Sequence, residues 1–152
     1  MKIKFKIVTP ERIVYEDEID QITLPTKVGE ITILPNHIPL VSSLRPGEVL
    51  IKKDKHEVPM AISGGFAEFN DNQLIILADT AERVEEIDEK RADEARQRVK
   101  ELLEKRQEQE NIDFTALATK LEKELARLKV AKKYKHIRTT PQIKIEKDEE
   151  IK

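Results

Sequence analysis

The chain contains no cysteine and only four glycines in 152 residues. Without cysteine, disulfide staples, thiolate metal sites and cysteine nucleophiles are all excluded, and a reducing compartment fits. Neither sign of charge dominates: 28 Lys and Arg face 30 Asp and Glu, for a formal net charge of -2. That balance gives no global attraction to nucleic acid, which calls for a strongly basic surface. No apolar run approaches the roughly 20 residues needed to span a bilayer. The opening Met1 to Val8 alternates charged and apolar side chains, whereas a signal peptide needs a continuous apolar run. Any membrane association is therefore expected to come through a membrane-embedded partner.

Convergent chemistry is missing too. His37, His56 and His136 are far apart, with no second histidine at helical spacing to suggest zinc. His37 has no serine or cysteine nucleophile in a recognisable elbow beside it. The carboxylate-rich segment 82–94 lacks the glycine of a calcium loop. Gly64-Gly65 lacks the lysine and helix that follow in a phosphate loop. No catalytic residue and no metal site are expected.

What is present divides into two patterns. In residues 1–80, Ile3, Phe5 and Ile7 alternate with Lys2, Lys4 and Lys6, the period of a half-buried strand. Short apolar runs follow at 13–15, 22–24, 31–33, 49–51, 58–62, 66–69 and 74–78. Turn residues separate them, among them Pro46-Gly47 and Asn70-Asp71-Asn72. With no helical crossover between them, they predict an antiparallel β-sandwich or flattened barrel.

From residue 81 the period lengthens. With Thr80 as N-cap, Val84, Ile87, Arg91, Ala95, Arg98 or Val99, and Leu102 predict a helix to about Glu108, roughly 40 Å long. Glu86/Lys90, Glu94/Arg98 and Glu101/Lys105 support its exposed face. Residues 109–112 read as a bend. Asp113 caps a second helix to about Lys133, with the stripe Phe114, Leu117, Leu121, Leu125 and Leu128.

Two such helices predict an antiparallel hairpin over 81–133. Residues 82–110 carry eleven acids and eight bases, while 113–133 carry three acids and six bases, so the arms attract. Seventy residues are too few for an independent core, so the hairpin should lean on the sandwich or on a partner. Residues 134–152 read as a disordered tail, despite the Ile143-Lys144-Ile145 alternation.

Two stretches are more specific: Gly29 to Leu40 (GEITILPNHIPL), continued to Arg45-Pro46-Gly47, and Ile62 to Glu68 (ISGGFAE). Followed by a charged hairpin, they resemble the epsilon subunit of the bacterial F-type ATP synthase, over residues 1 to about 133. The resemblance implies a non-catalytic central-stalk subunit in a proton-transporting complex at the cytoplasmic face of the bacterial plasma membrane. It implies that the sandwich grips the gamma subunit and rests on the polar loops of the c-ring. It also implies that the hairpin either folds on the sandwich or extends to the alpha and beta subunits and blocks ATP hydrolysis.

Glu30, His37, Ile38, Leu40, Gly64 and Gly65 are the partner-binding candidates in the sandwich. Lys120, Lys123 and Arg127 are those of the second helix. Physics supports the loop, since Pro35, Pro39 and Pro46 lower the entropy lost on docking and its tips mix apolar and polar groups. The alternative is that Ile38, Leu40 and Val41 plug one end of the sandwich. Gly64-Gly65 reads first as backbone geometry, a bulge or positive φ that allows close approach. The rival for the whole chain is a free-standing protein-binding adaptor.

Ile87 to Ala92 (IDEKRA) resembles the signature of family members whose folded hairpin binds ATP as a regulator. By that resemblance the ligands are Glu82, Asp88, Arg91 and Arg98 from the first helix and Arg127 from the second. Lys123 stands where those members have arginine, which keeps the charge but loses the planar fork. Closing the hairpin is expected to gather four cations near Asp88, a cost that phosphates would offset.

Overall fold

A computed structural model describes residues 1–105 and 113–135. Eight strands come first: β1 (Ile3–Val8), β2 (Ile13–Ile19), β3 (Gln21–Thr26), β4 (Gly29–Ile33), β5 (Leu40–Lys53), β6 (His56–Asn70), β7 (Gln73–Ala78) and β8 (Ala81–Arg83). The alternation in β1 holds as expected, with Ile3, Phe5 and Ile7 buried. Strand order is β2-β1-β7-β6-β5-β3-β4, with β8 beside β6. Every pairing is antiparallel except β1 with β7, which is parallel.

The sheet forms a sandwich, but it does not close as the flattened-barrel expectation had it. Among the described residues, β2 and β4 each pair on one side only. Nor is Pro46-Gly47 a turn between strands. It lies within β5, with Pro46 opposite Ser63 and Gly47 opposite Ile62 of β6. These two long strands serve both layers. β6 takes β7 beside Gly65–Asn70 and β8 beside Met60–Ile62. A core of nineteen buried side chains, including Phe5, Ile22, Ile51, Met60 and Phe69, fills the space between.

The sandwich runs past the boundary expected at 80. Thr80 does not cap a helix. Its N–H donates to Ser63 Oγ at 2.9 Å, and Ala81 is buried opposite Ile62. A single 3-10 turn, Val84–Glu86, follows. Helix α1 (Glu89–Glu104) then starts from Asp88, whose carboxylate accepts the Arg91 N–H at 3.1 Å. Its inward face is Ala92, one position on from the expected Arg91, and Val99, the second of the two residues expected there, while Leu102 is exposed. The expected helix end at Glu108 and the bend at 109–112 lie outside the described residues.

Helix α2 (Phe114–Lys133) begins at Asp113 as expected, its carboxylate accepting the Ala116 N–H at 3.1 Å. Together with α1 it forms the hairpin. α2 has two apolar faces rather than one stripe. Leu125 is exposed, and the most buried side chains are Ala126, Leu128, Val130 and Ala131. Val130, Ala131 and Tyr134 join Ala61, Val84 and Ile87 in a second, smaller core, with Leu50 at its edge. Tyr134, read from sequence as the first tail residue, thus seals α2 to the sandwich. The tail beyond Lys135 lies outside the described residues. α2 is the middle layer, packed on β5 and β6 below, while α1 packs chiefly on α2.

Candidate interfaces of the sandwich and the hairpin

The proline-braced loop between β4 and β5 stands at one end of the sandwich. Asn36 adopts φ 64°, and its N–H donates to Asn72 Oδ1 at 2.6 Å. Asn72 Nδ2 donates back to Asn36 Oδ1 at 3.1 Å, so the loop is tied to the β6–β7 turn. His37 stacks edge-on against Phe69 at 5.8 Å, and its Nδ1 donates to the Ile38 carbonyl at 2.7 Å. That ring supports the loop. Ile38 and Val41, each 74% exposed, do not plug the sandwich; with Leu34 they form an apolar tip. Leu40 is different: it is half-buried and packs against the main core. Glu30 is exposed on the edge strand β4.

Gly64 and Gly65 sit mid-way along β6 with φ of 103° and 142°. A Cβ on Gly65 would lie 2.0 Å from the Leu77 carbonyl oxygen of β7. The backbone reading of this pair therefore has an internal cause, the close approach of β7. Beside it Phe66 and Leu77 face each other across β6 and β7, and both are exposed. They line one wall of an open groove of about 1070 Å³ whose other wall is α2, with Lys123, Leu125 and Lys129. No sequence signal marked this apolar pair, although alternation in β7 puts Ile75 and Leu77 on the face opposite Leu74 and Ile76.

The six residues of the expected ATP site fall into two groups. Glu82 and Arg127 meet in a two-pronged pair, Nε to Oε2 at 2.6 Å and Nη2 to Oε1 at 3.0 Å. Arg127 Nη1 also donates to Glu124 at 2.9 Å. Burial disfavours the Arg127 charge, but the Glu82 hydrogen bond and the charges of Glu82 and Glu124 outweigh it and raise its pKa. Lys123 lies near Asp79 at 3.9 Å.

On α1, by contrast, Asp88, Arg91 and Arg98 are exposed. Arg91 pairs with the cap residue Asp88 at 3.7 Å, and Arg98 with Glu94 at 3.9 Å. Three of the α2 cations, Lys123, Arg127 and Lys133, thus lie beside carboxylates in the hairpin as folded. Lys120 is exposed.

Glu48 on β5 escaped the sequence reading. It accepts from Lys133 Nζ at 2.9 and 3.1 Å and from the Tyr134 hydroxyl. Its partners lie 85 and 86 residues away, so only the recurrence of apolar Val130 and Tyr134 on one helical face hinted at a docked end. Among the described residues no cluster of metal-binding side chains occurs, and no helix is long and apolar enough to cross a membrane.

Comparison with known proteins matches both halves. Residues 2–84 match the model of the ATP synthase delta/epsilon chain β-sandwich domain, and residues 85–132 that of its long α-helix domain. An ATP synthase epsilon chain of Herpetosiphon aurantiacus is 44% identical over 132 residues, covering 87% of this chain and 96% of the relative. One from Ligilactobacillus salivarius is 41% identical, covering 86% and 95%. These relatives lend the adaptor alternative no support.

Among solved structures, a chain of the Euglena gracilis mitochondrial ATP synthase, OSCP/F1/c-ring, superposes with TM-score 0.62 at 22% identity, covering 90% of this chain and 81% of that one. A chain from the Tetrahymena thermophila mitochondrial ATP synthase central stalk and c-ring gives 0.52 at 16% identity, covering 88% and 96%. At those identities the likeness is one of fold.

Proposed function

This chain belongs to the epsilon-chain family of F-type ATP synthases, non-catalytic subunits of the central stalk, and we propose that it both couples the stalk and brakes it. The sandwich binds the gamma subunit and the polar loops of the c-ring, through the Ile38 tip with Glu30, His37 and Leu40 behind it, and through the face around Gly64 and Gly65. The complex sits at the cytoplasmic face of a bacterial plasma membrane. When the hairpin leaves the sandwich, Lys120, Lys123 and Arg127 meet acidic surfaces of the alpha and beta subunits and stop hydrolysis.

The observation that carries this reading is the layering. Among the described residues, α2 meets the sandwich through a core of six buried side chains, separate from the nineteen inside the sandwich. The hairpin therefore leaves as a unit without opening the main core. Deleting residues 84–152 from the assembled enzyme should raise ATP hydrolysis while proton pumping stays coupled. The cut falls after Arg83 so that β8 is kept. Hydrolysis unchanged by this deletion would refute the brake.

Regulatory ATP belongs to the same proposal. Arg91 and Arg98 are exposed and held only loosely by carboxylates of their own helix, so both are available to phosphate. Lys123 and Arg127 stand one turn apart on α2; a nucleotide reaching them takes the place of Asp79 at Lys123 and frees Glu82 from Arg127 to accept from the adenine amine or ribose hydroxyls. Binding only the closed hairpin, ATP stabilises it by linkage and keeps the brake off. Calorimetric titration should show saturable binding that Arg91→Ala and Arg98→Ala weaken. No binding at millimolar ATP, or binding indifferent to both changes, ends this part of the reading.

A further inference from the structure

Besides the Lys123–Asp79 ion pair at 3.9 Å, the face of α2 that meets the sandwich is fastened at two hydrogen-bonded points, two helical turns apart. Arg127 is the first. It divides its guanidinium between Glu82 of the sandwich and Glu124 of its own helix, so release of α2 costs it only part of its bonding. The second point is at the very end. There Glu48 takes three hydrogen bonds, two from Lys133 and one from Tyr134, and releasing α2 breaks all three. The Glu48 side chain is only 19% exposed under this cover. The Tyr134 ring lies in the second core beside Ala61, Val84 and Ile87, which aims its hydroxyl out at Glu48. The Lys133 ammonium also lies 5.0 Å from the centre of that ring.

We propose that Glu48 is the release catch of the hairpin: its carboxylate holds Lys133 and Tyr134 as one unit, and losing that hold frees α2 while the sandwich stays folded. The consequence for hydrolysis rests on the brake described above, but the catch itself does not. Because α1 packs chiefly on α2, it has little independent hold on the sandwich, and the catch governs both helices.

The chain's lack of cysteine supplies the test. Ala131 is fully buried where α2 meets the sandwich, and Ala67 is fully buried inside the sandwich. In the full chain, a single thiol introduced by Ala131→Cys reacts with a thiol reagent at a rate set by hairpin opening. One introduced by Ala67→Cys reports opening of the sandwich.

Glu48→Gln, and separately Tyr134→Phe, should speed labelling at the Ala131→Cys site by on the order of tenfold, as expected for hydrogen bonds to a charged group. Labelling at the Ala67→Cys site should not change. The two substitutions together should accelerate labelling by less than the product of their separate effects, because they remove one shared interaction. Unchanged labelling at Ala131→Cys, a parallel rise at Ala67→Cys, or fully multiplicative effects would each overturn the catch. None of these readouts involves ATP hydrolysis, so a failed brake and a failed catch are distinguishable.

Discussion

Replacing Gly65 by alanine tests the fold where two strands come closest. The new Cβ would stand 2.0 Å from the Leu77 carbonyl oxygen and 2.9 Å from the Ala78 Cα, all atoms of the β7 backbone. β7 has little freedom to retreat, since β1 pairs along its other edge. The residue must also hold φ near 142°, which costs an alanine about 1–3 kcal/mol. Displacing β7 weakens the Gly65–Ala78 and Phe66–Leu77 pairings, at about 1 kcal/mol per hydrogen bond. The sum is on the order of 3–5 kcal/mol, a large part of the roughly 5–15 kcal/mol that holds such a domain together.

Gly29→Ala is the control. Its φ is 126°, yet nothing lies within 4 Å of the added carbon, so only the same backbone strain, about 1–3 kcal/mol, applies. At roughly 4–8 °C per kcal/mol for a domain of this size, Gly65→Ala should lower the melting temperature by about 12 °C or more. Gly29→Ala, which loses none of the roughly 2 kcal/mol of strand pairing, should lower it by about 8–16 °C less. Scanning calorimetry of the full chain measures both. Equal shifts for the two variants would refute the argument that the approach of β7, and not φ alone, demands glycine.

Ile38→Ala combined with Val41→Ala should leave stability within about 0.5 kcal/mol, because both side chains are mostly in water. It should nevertheless reduce retention of the chain by purified gamma subunit and c-ring in a pull-down. Undiminished retention would remove the loop tip from the interface. Leu40→Ala is a poorer probe, since Leu40 packs on the main core and its loss mixes folding with docking.

High pH should loosen the hairpin. Hydrogen bonds to Glu48 and Tyr134 push the Lys133 pKa up to about 12 from 10.5. Burial and then the Glu48 bond raise that of Tyr134 above its ordinary 10.0. Both contributions are complete below the unfolded pKa values and fade as pH rises through the folded ones. Labelling at the Ala131→Cys site should therefore accelerate from about pH 10.5 to 12, and the acceleration should flatten with Glu48→Gln. An identical slope in both proteins would contradict it.

The sandwich was legible wherever one side chain in two is buried. Ile3, Phe5 and Ile7 announce β1, and Asp113 announces the start of α2, because both signals are local. The misplaced start of α1 shows the limit. Val84 and Ile87 are three residues apart, a spacing that suits a helix but is equally served by a 3-10 turn pressed on Ala61. Thr80 is a good cap by type, but Ser63, seventeen residues earlier, takes its N–H. Pro46-Gly47 reads as a turn until β6 is seen to run unbroken beside it.

On α2 the leucine stripe drew the eye, while the face that docks uses Ala126, Val130, Ala131 and Tyr134, smaller and less conspicuous. Arg127 is expected from the sequence as a nucleotide ligand and a partner contact. Its neutralisation by Glu82, 45 positions away, depends on tertiary placement that no periodicity encodes.

The parallel pairing of β1 with β7 has a consequence for how the chain is made. β1 finds β2 soon after leaving the ribosome, but its other edge waits for residues 73–78, several seconds later at about 5–20 residues per second. During that interval the strand is a nascent template, and Lys4 and Lys6 on it discourage capture by a stranger. The arrival of β7 completes the pairing of β1 before any of α2 has been synthesised. Glu48 and Ala61 are in place by then, and Val84 follows β7 but still precedes α2. The two helices therefore emerge onto a surface already built, and the first resting place open to them is the folded-down one.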